Sequence, residues 1–233
     1  MKLLSRRALN SSPSPTWAAR PWWALIRFGF RLLYNELAWT YDGVSWIVSL
    51  GHWRAWQHTG LAYLEAQPGD RILELAHGTG NLQCDLAASG FCPIGLDISR
   101  TMGRIAQRKL RRAGLPAHLV QSDAQRMPFA AESFQAIITT FPTEFIVRRT
   151  TLSEAYRVLE PGGRLVIVPI AVFTPSDPAT YFLEWLYRVT GQRGPWPEQA
   201  EQNMREIGFE VAVHITSLDS SRVIVVVADK PCA

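Results

Sequence analysis

A doubly wound α/β fold, built on a seven-stranded, mostly parallel sheet that ends in an antiparallel hairpin, is what this sequence predicts. Three observations predict it. From Arg71 onward, short β-branched or apolar runs alternate with helical stretches, which implies parallel strands covered on both faces. The last two strand-like runs, Phe209–Ser217 and Arg222–Asp229, are joined only by Leu218-Asp219-Ser220-Ser221. That connection is too short for a crossover helix, so the pair forms a hairpin at one edge. Finally, the first strand enters its helix through a glycine turn, a common ligand position in such folds.

Taken in order, residues 1–21 carry Ser, Pro and Arg without a period and read as a flexible leader. Residues 22–66 place Leu25, Phe28, Leu32 and Leu33, then Ile47, Leu50 and Trp53, at helical spacings, so a helical N-terminal lid is expected there. The turn Gln67-Pro68-Gly69-Asp70 opens the main domain, 67–233. Its strands are expected at Arg71–Leu75, Cys92–Leu96, His118–Gln121, Phe134–Thr139 and Arg164–Pro169, and its helices at Asn81–Ser89, Arg100–Ala113 and Glu144–Leu159. Leu159-Glu160-Pro161-Gly162-Gly163 reads as a helix stop. An insertion at about 173–197, with Tyr181, Phe182, Trp185, Leu186, Tyr187 and Trp196, is expected to wall the active site.

Composition narrows the function classes. A formal charge of +4 over 233 residues excludes an overwhelming nucleic-acid footprint, although Lys and Arg gather at residues 2–31 and in Arg100–Arg112. Cys84, Cys92 and Cys232 have no ligand spacing, so no metal is expected and a reduced, cytoplasmic setting follows. No apolar run is long enough for a spanning helix or a signal peptide. The anomaly is tryptophan: of nine, five (Trp17, Trp22, Trp23, Trp39 and Trp46) precede residue 50, beside Arg20, Arg27 and Arg31. They form an apolar lid, a protein interface or a peripheral membrane contact.

The chemistry is carried by three strand ends. Glu74-Leu75-Ala76-His77-Gly78-Thr79-Gly80-Asn81 runs from strand to helix, letting a ligand approach the backbone and the helix N-terminus. Asp97, about twenty positions on, stands where a carboxylate accepts from ribose hydroxyls, a spacing that suits dinucleotide and adenosyl cofactors alike. Asp123, after the third strand, adds an acceptor for an adenine amino group. The dinucleotide reading also wants a third glycine, but Leu82 and Gln83 follow Gly80 instead.

With these motifs the chain resembles the class I methyltransferases, nearest the branch of the ubiquinone and menaquinone C-methyltransferases. Gly69 to Val168 carries the likeness, including Asp97-Ile98-Ser99 with Met102, Asp123-Ala124 before Met127-Pro128-Phe129, and Ala155 to Leu165. The resemblance implies S-adenosylmethionine as cofactor. It gives Glu74 the ordering of the turn, Ala76, His77, Gly78 and Gly80 the methionine moiety, and Asp97 the ribose. Ile98 and Met102 would pack on the adenine, while Asp123 and the Ala124 backbone read its edge. Tyr41 of the pair Tyr41-Asp42 would lie near the methionine end, and Thr140 and Glu144 beside the transferable methyl. Ala76 departs from the glycine usual in the family.

A base is needed only if the acceptor is protonated, and Glu144, Tyr41 and His52 are the candidates. The segment Thr139–Glu144 lacks the signature of enzymes that methylate the exocyclic amines of bases, so no nucleic-acid partner is expected. The expected acceptor is a small hydrophobic or aromatic molecule, methylated at carbon as a quinol is, or at oxygen or nitrogen. A lipid-amine N-methyltransferase at a membrane surface and a non-catalytic cofactor-binding module are the alternatives.

Overall fold

In the computed structural model, residues 40–174, 177–189 and 196–232 are described. The expected leader and the first part of the expected lid, with Trp17, Trp22, Trp23 and Trp39, lie outside them. Two helices precede the sheet, α1 (Tyr41–Val48) and α2 (Trp53–Leu61). The alternating part follows as β1 (Arg71–Leu75), α3 (Asn81–Ala88), β2 (Cys92–Asp97), α4 (Arg100–Arg112), β3 (Leu119–Gln121) and β4 (Phe134–Thr140). After a 3-10 turn at Glu144–Val147 come α5 (Arg149–Val158), β5 (Leu159–Phe173), α6 (Pro178–Val189), α7 (Glu198–Ile207), β6 (Glu210–Leu218) and β7 (Ser221–Asp229).

The seven strands lie in the order β3-β2-β1-β4-β5-β7-β6. The first five are parallel, and β7 is antiparallel to both β5 and β6. The terminal hairpin therefore forms one edge, as its short turn requires. Strand order reverses between β1 and β4, so the crevice of a doubly wound sheet opens at their C-terminal ends. Each central strand buries both faces: Leu73, Leu75, Ile137, Leu165 and Ile167 face one core with α5 and α7, while Ile72, Ile138, Val166 and Val168 face the other with Trp56, Leu82 and Leu86. Two-sided burial is why these strands read as continuous apolar runs.

Three expectations need correction. The helix expected over Glu144–Leu159 is broken, because Arg148 is extended (φ −71°, ψ 132°) and the first turn is 3-10. The helix stop holds, since α5 ends at Val158, but the strand expected from Arg164 already starts at Leu159, with Glu160-Pro161-Gly162-Gly163 as a bulge inside β5: Phe134 pairs Leu159 and Ala136 pairs Arg164, leaving the intervening residues outside the ladder. Gly163 is required there, since a Cβ would come within 2.8 Å of the Glu160 carbonyl oxygen and 3.0 Å of the Gln135 one. The segment left unassigned before the hairpin is α7, which buries Ala200 and Met204 and ends on Gly208 in the left-handed region (φ 119°). Of the insertion, α6 packs on β5 through Leu183, and Tyr181, Phe182 and Trp185 are exposed.

α1 bridges the helical layer. At its start, Asp42 accepts from Lys109 Nζ of α4 (2.7 Å). At its end, the Val48 carbonyl accepts from the Tyr187 hydroxyl of α6 (2.9 Å).

Candidate active site

Local sequence dictates the turn after β1. The chain must leave a buried strand and start a helix within five residues, which forces left-handed backbone at Ala76 (φ 56°), Gly78 (φ 54°) and Gly80 (φ 80°). The glycines accept this freely; Ala76 does so with steric cost, as does Phe141 (φ 50°) at the end of the neighbouring β4. Two of the five left-handed non-glycine residues among the described ones thus flank the crevice.

The two glycines differ. A Cβ on Gly78 meets nothing within 4 Å, so its face is open to a ligand. On Gly80 a Cβ would lie 2.7 Å from Ala106 Cβ and 3.0 Å from its Cα. Gly80 is therefore demanded by the close approach of α3 and α4, whatever it also does at the turn.

Asp97 closes the far side of the turn. Its Oδ2 accepts from the Gly78 N–H (2.9 Å) and its Oδ1 from the Ser99 N–H (2.7 Å). Each oxygen keeps a further lone-pair site, so the carboxylate is aimed by the backbone and still able to accept. Next to it Ile98 is 68% exposed, an apolar shelf, whereas Met102 is fully buried on the inner face of α4. The expected Ile98–Met102 pair is thus divided: Ile98 is available to a flat ring and Met102 is core. Asp123 is exposed and caps its own turn by accepting from the Gln125 N–H (2.9 Å), with Ala124 buried behind it.

Beneath the turn sits Glu74, 2% exposed, its Oε2 accepting from Gln83 Nε2 (2.8 Å). Burial pushes its carboxyl up to about 8; the Gln83 hydrogen bond opposes this, and the charges of Asp97 and Asp85 add to it. His77 is not a solvated loop residue but 5% exposed, packed against Gly95, its Nδ1 2.9 Å from the Gly78 carbonyl oxygen. Burial lowers its pKa, the charge of Asp97 opposing that in part.

Helices α1 and α2 roof the crevice. Asp42 Oδ1 accepts from Thr79 Oγ1 (2.6 Å) and Asn81 Nδ2 (3.1 Å), pinning α1 to the turn. Burial raises its carboxyl, but the hydrogen bonds from Lys109, Thr79 and Asn81 and the Lys109 charge outweigh that and hold it below the usual range. Tyr41 sets its ring edge-on to Trp53 (6.4 Å), and Trp53 lies 4.2 Å from Phe141. Gln57 Nε2 donates to Thr140 Oγ1 (2.9 Å) at the end of β4.

The remaining candidates are dispersed. Glu144 is exposed on the 3-10 turn after β4. His52, at the start of α2, faces the hairpin side instead, its ring 6.2 Å from Phe173 and its Nε2 3.3 Å from Ser220 Oγ. Asp42, Thr79, Lys109 and Gln57 were missing from the expected site residues. Among these, the position of Asp42 beside Tyr41 was the signal at hand.

An adenosyl cofactor fits these residues. The open face of Gly78, the aimed but unsaturated Asp97 carboxylate and the exposed Ile98 lie in sequence along one edge, and α3 starts beside them with its first N–H groups lacking helical partners. Among the described residues, no group of His, Cys, Asp and Glu could hold a metal ion.

Known proteins agree with this geometry. Residues 30–196 match the model of the ubiE/COQ5 methyltransferase family. A demethylmenaquinone methyltransferase of Beutenbergia cavernae is 40% identical over 136 residues, 58% of this chain and 55% of that protein. One from a Mycobacterium species is 36% identical over 157 residues, 67% of this chain and 66% of its own length. The chain thus spans a little over half to just under two thirds of these relatives. The crystal structure of geranyl diphosphate C-methyltransferase from Streptomyces coelicolor, with S-adenosyl-L-homocysteine bound, superposes with a TM-score of 0.59 at 15% identity, over 76% of this chain and 79% of that one. At that identity the match speaks for the fold.

Proposed function

Because the chain belongs to the ubiE/COQ5 methyltransferase family, we propose that it transfers a methyl group from S-adenosylmethionine to a ring carbon of a small hydroquinone-like acceptor. The observation that carries the cofactor half is the edge formed by Gly78, Asp97 and Ile98, open, acidic and apolar in the order that a methionine tail, a ribose and an adenine require. The names of the two curated relatives support the acceptor half.

When bound, S-adenosylmethionine supplies an electrophilic methyl on a positively charged sulfur. Asp97 holds the ribose hydroxyls, Ile98 and the Ala124 backbone hold the adenine, and the N–H groups at the start of α3 meet the carboxylate. The neutral state that burial imposes on Glu74 and His77 keeps net negative charge beneath the turn to Asp97. Tyr41, Trp53 and Phe141 exclude water from the crevice, so rate comes mainly from positioning. The ring carbon loses a proton as it gains the methyl; Glu144 and Tyr41 are the groups kept for that step, while His52, turned toward the hairpin, is not. Incubation with S-adenosylmethionine and 1,4-naphthohydroquinone tests the reading: a product one methylene heavier and stoichiometric S-adenosylhomocysteine are expected. Failure to bind S-adenosylhomocysteine would overturn the cofactor half, and binding without turnover on hydroquinones the acceptor half.

The same reading places the protein at a membrane surface, where a lipophilic acceptor resides. α1 exposes Trp46 and Ile47, the turn after it exposes Leu50, and α6 exposes Tyr181, Phe182 and Trp185. α4, to which α1 is pinned, carries Arg100, Arg104, Arg108, Arg111 and Arg112 on its exposed face and no acidic residue. Among the described residues no helix is long and apolar enough to cross a membrane, so the contact proposed is peripheral. Co-sedimentation with phosphatidylglycerol vesicles, lost in the Arg104→Glu/Arg108→Glu double variant, is the expected result; no difference from phosphatidylcholine vesicles would refute it.

A further inference from the structure

A cavity of about 330 Å³ lies between α1, α2 and α3, lined among others by Ser45, Trp46, Trp53, Gln57, Asn81 and Cys84. Its volume is in the range of small-molecule sites. It touches the turn after β1 at two points. Asn81 follows Gly80 directly, and Asp42, also in its wall, hydrogen-bonds Thr79.

Gln57 is the unusual residue of this wall. It is 8% exposed, yet its Oε1 has no hydrogen-bond partner among the described residues while Nε2 donates to Thr140. The orientation of an amide is an assignment, and rotating it by a half turn would let Thr140 donate to the oxygen instead. The conclusion survives the rotation: Thr140 engages one amide atom, and the other is buried and unpaired. An unpaired buried amide atom is destabilising, and a ligand that pairs with it would offset that cost.

We propose that Gln57 is an acceptor-binding residue, its free amide atom hydrogen-bonding a ring hydroxyl of an aromatic methyl acceptor that lies against Trp46 and Trp53. The identity of the ligand rests on the methyl-transfer reading above; the existence of the subsite does not. A neutral amide suits a phenolic oxygen because it can accept from the hydroxyl or donate to it. It suits the charged ammonium and carboxylate of a methionine tail less well, and those have the helix N-terminus of α3. The bond to Thr140 fixes the amide to the end of β4, beside the turn that bears Gly78, so the ring is placed by the same sheet edge that places the cofactor. Gln57 is thereby a specificity residue, selecting acceptors with an oxygen on the ring.

The test is a comparison of two ligands on two proteins. Binding of 1,4-naphthohydroquinone and of 1,4-dimethylnaphthalene, which has the same shape but no ring oxygen for either amide atom, is measured by calorimetry on the S-adenosylhomocysteine complex of the full chain and of Gln57→Leu. The expected result is about five- to tenfold tighter binding of the hydroquinone by the unaltered protein, with that preference abolished in Gln57→Leu and S-adenosylhomocysteine affinity unchanged. Preference retained in the variant, equal binding of the two ligands by the unaltered protein, or no binding of the hydroquinone each overturns the proposal. If Gln57→Leu does not fold, Gln57→Met repeats the measurement. Because the readout is binding, a chain that discriminates the ligands without methylating either refutes the proposed reaction and leaves the subsite standing.

Discussion

Replacing Glu74 by Gln should stabilise this protein, increasingly so as pH rises. The carboxyl is 2% exposed, is met by one hydrogen bond from Gln83, and is pushed up to about 8 from an ordinary value of 4.5. A folded-state pKa above the unfolded one means that the folded protein retains a proton that the unfolded chain releases. The associated stability is complete below pH 4.5 and is lost as pH rises through 8. At pH 7 the chain has lost about 2.5 units of that linkage, on the order of 3 kcal/mol at roughly 1.4 kcal/mol per unit. Glu74→Gln keeps the volume and a partner for Gln83 without titrating. Urea denaturation of both proteins from pH 5 to pH 8.5 measures the difference: near zero at the acid end, about 3 kcal/mol in favour of the variant at pH 7, and level above about pH 8. Parallel stability curves for the two proteins would show that Glu74 is ionised in the fold, and the account of the turn's electrostatics would be wrong.

Ala76→Gly should relieve left-handed strain of about 1–2 kcal/mol against an entropic cost of about 0.5–1, a net gain near 1 kcal/mol read as a melting temperature about 2–4 °C higher. With the methyl group gone from the turn, S-adenosylhomocysteine should also bind more tightly by calorimetry. Gly78→Ala and Gly80→Ala should part company. The first adds about 1–2 kcal/mol of left-handed strain (φ 54°) with no contact on its Cβ and weakens the cofactor, whereas the second adds to similar strain a 2.7 Å contact with Ala106 and so loses about 1–3 kcal/mol more in denaturation experiments. Asp97→Ala should weaken S-adenosylhomocysteine about a hundredfold, and an unchanged dissociation constant would move the ribose elsewhere. The lowered carboxyl of Asp42 makes the docking of α1 firm above the ordinary carboxylate range and loose as pH falls through the folded value. Asp42→Asn at neutral pH should therefore be cut by protease within α1 faster than the unaltered chain.

What could be read from the sequence followed physical locality. The strand and helix alternation and the hairpin depend on period, spacing and turn chemistry within short windows, and the fold agrees with them in seven strands and their edge. The packing role of Gly80 was not legible because a glycine before a helix looks the same whether ligand or helix demands it. Only the position of Ala106, 26 residues away in the chain, decides. Met102 was placed beside the adenine with Ile98 by the family resemblance, but a helix turns by about 100° per residue, and that rotation puts Met102 inward. His52 depended on where α2 starts, and Gln57 on what stands opposite it 83 residues later, neither of which has a local signature. The bulge in β5 was hidden because Pro-Gly-Gly is also an ordinary helix stop.

Mechanically, α1 is a bar resting on two supports, one at the Asp42–Lys109 ion pair and one at the Val48–Tyr187 hydrogen bond. The supports belong to different helices and break for different reasons, the first with charge and the second without it. Lifting the α4 end uncovers Thr79 and the turn; lifting the α6 end swings the bar away from the far side of the roof. A bar held this way can loosen at either end while the other stays fixed, so its two ends need not move together.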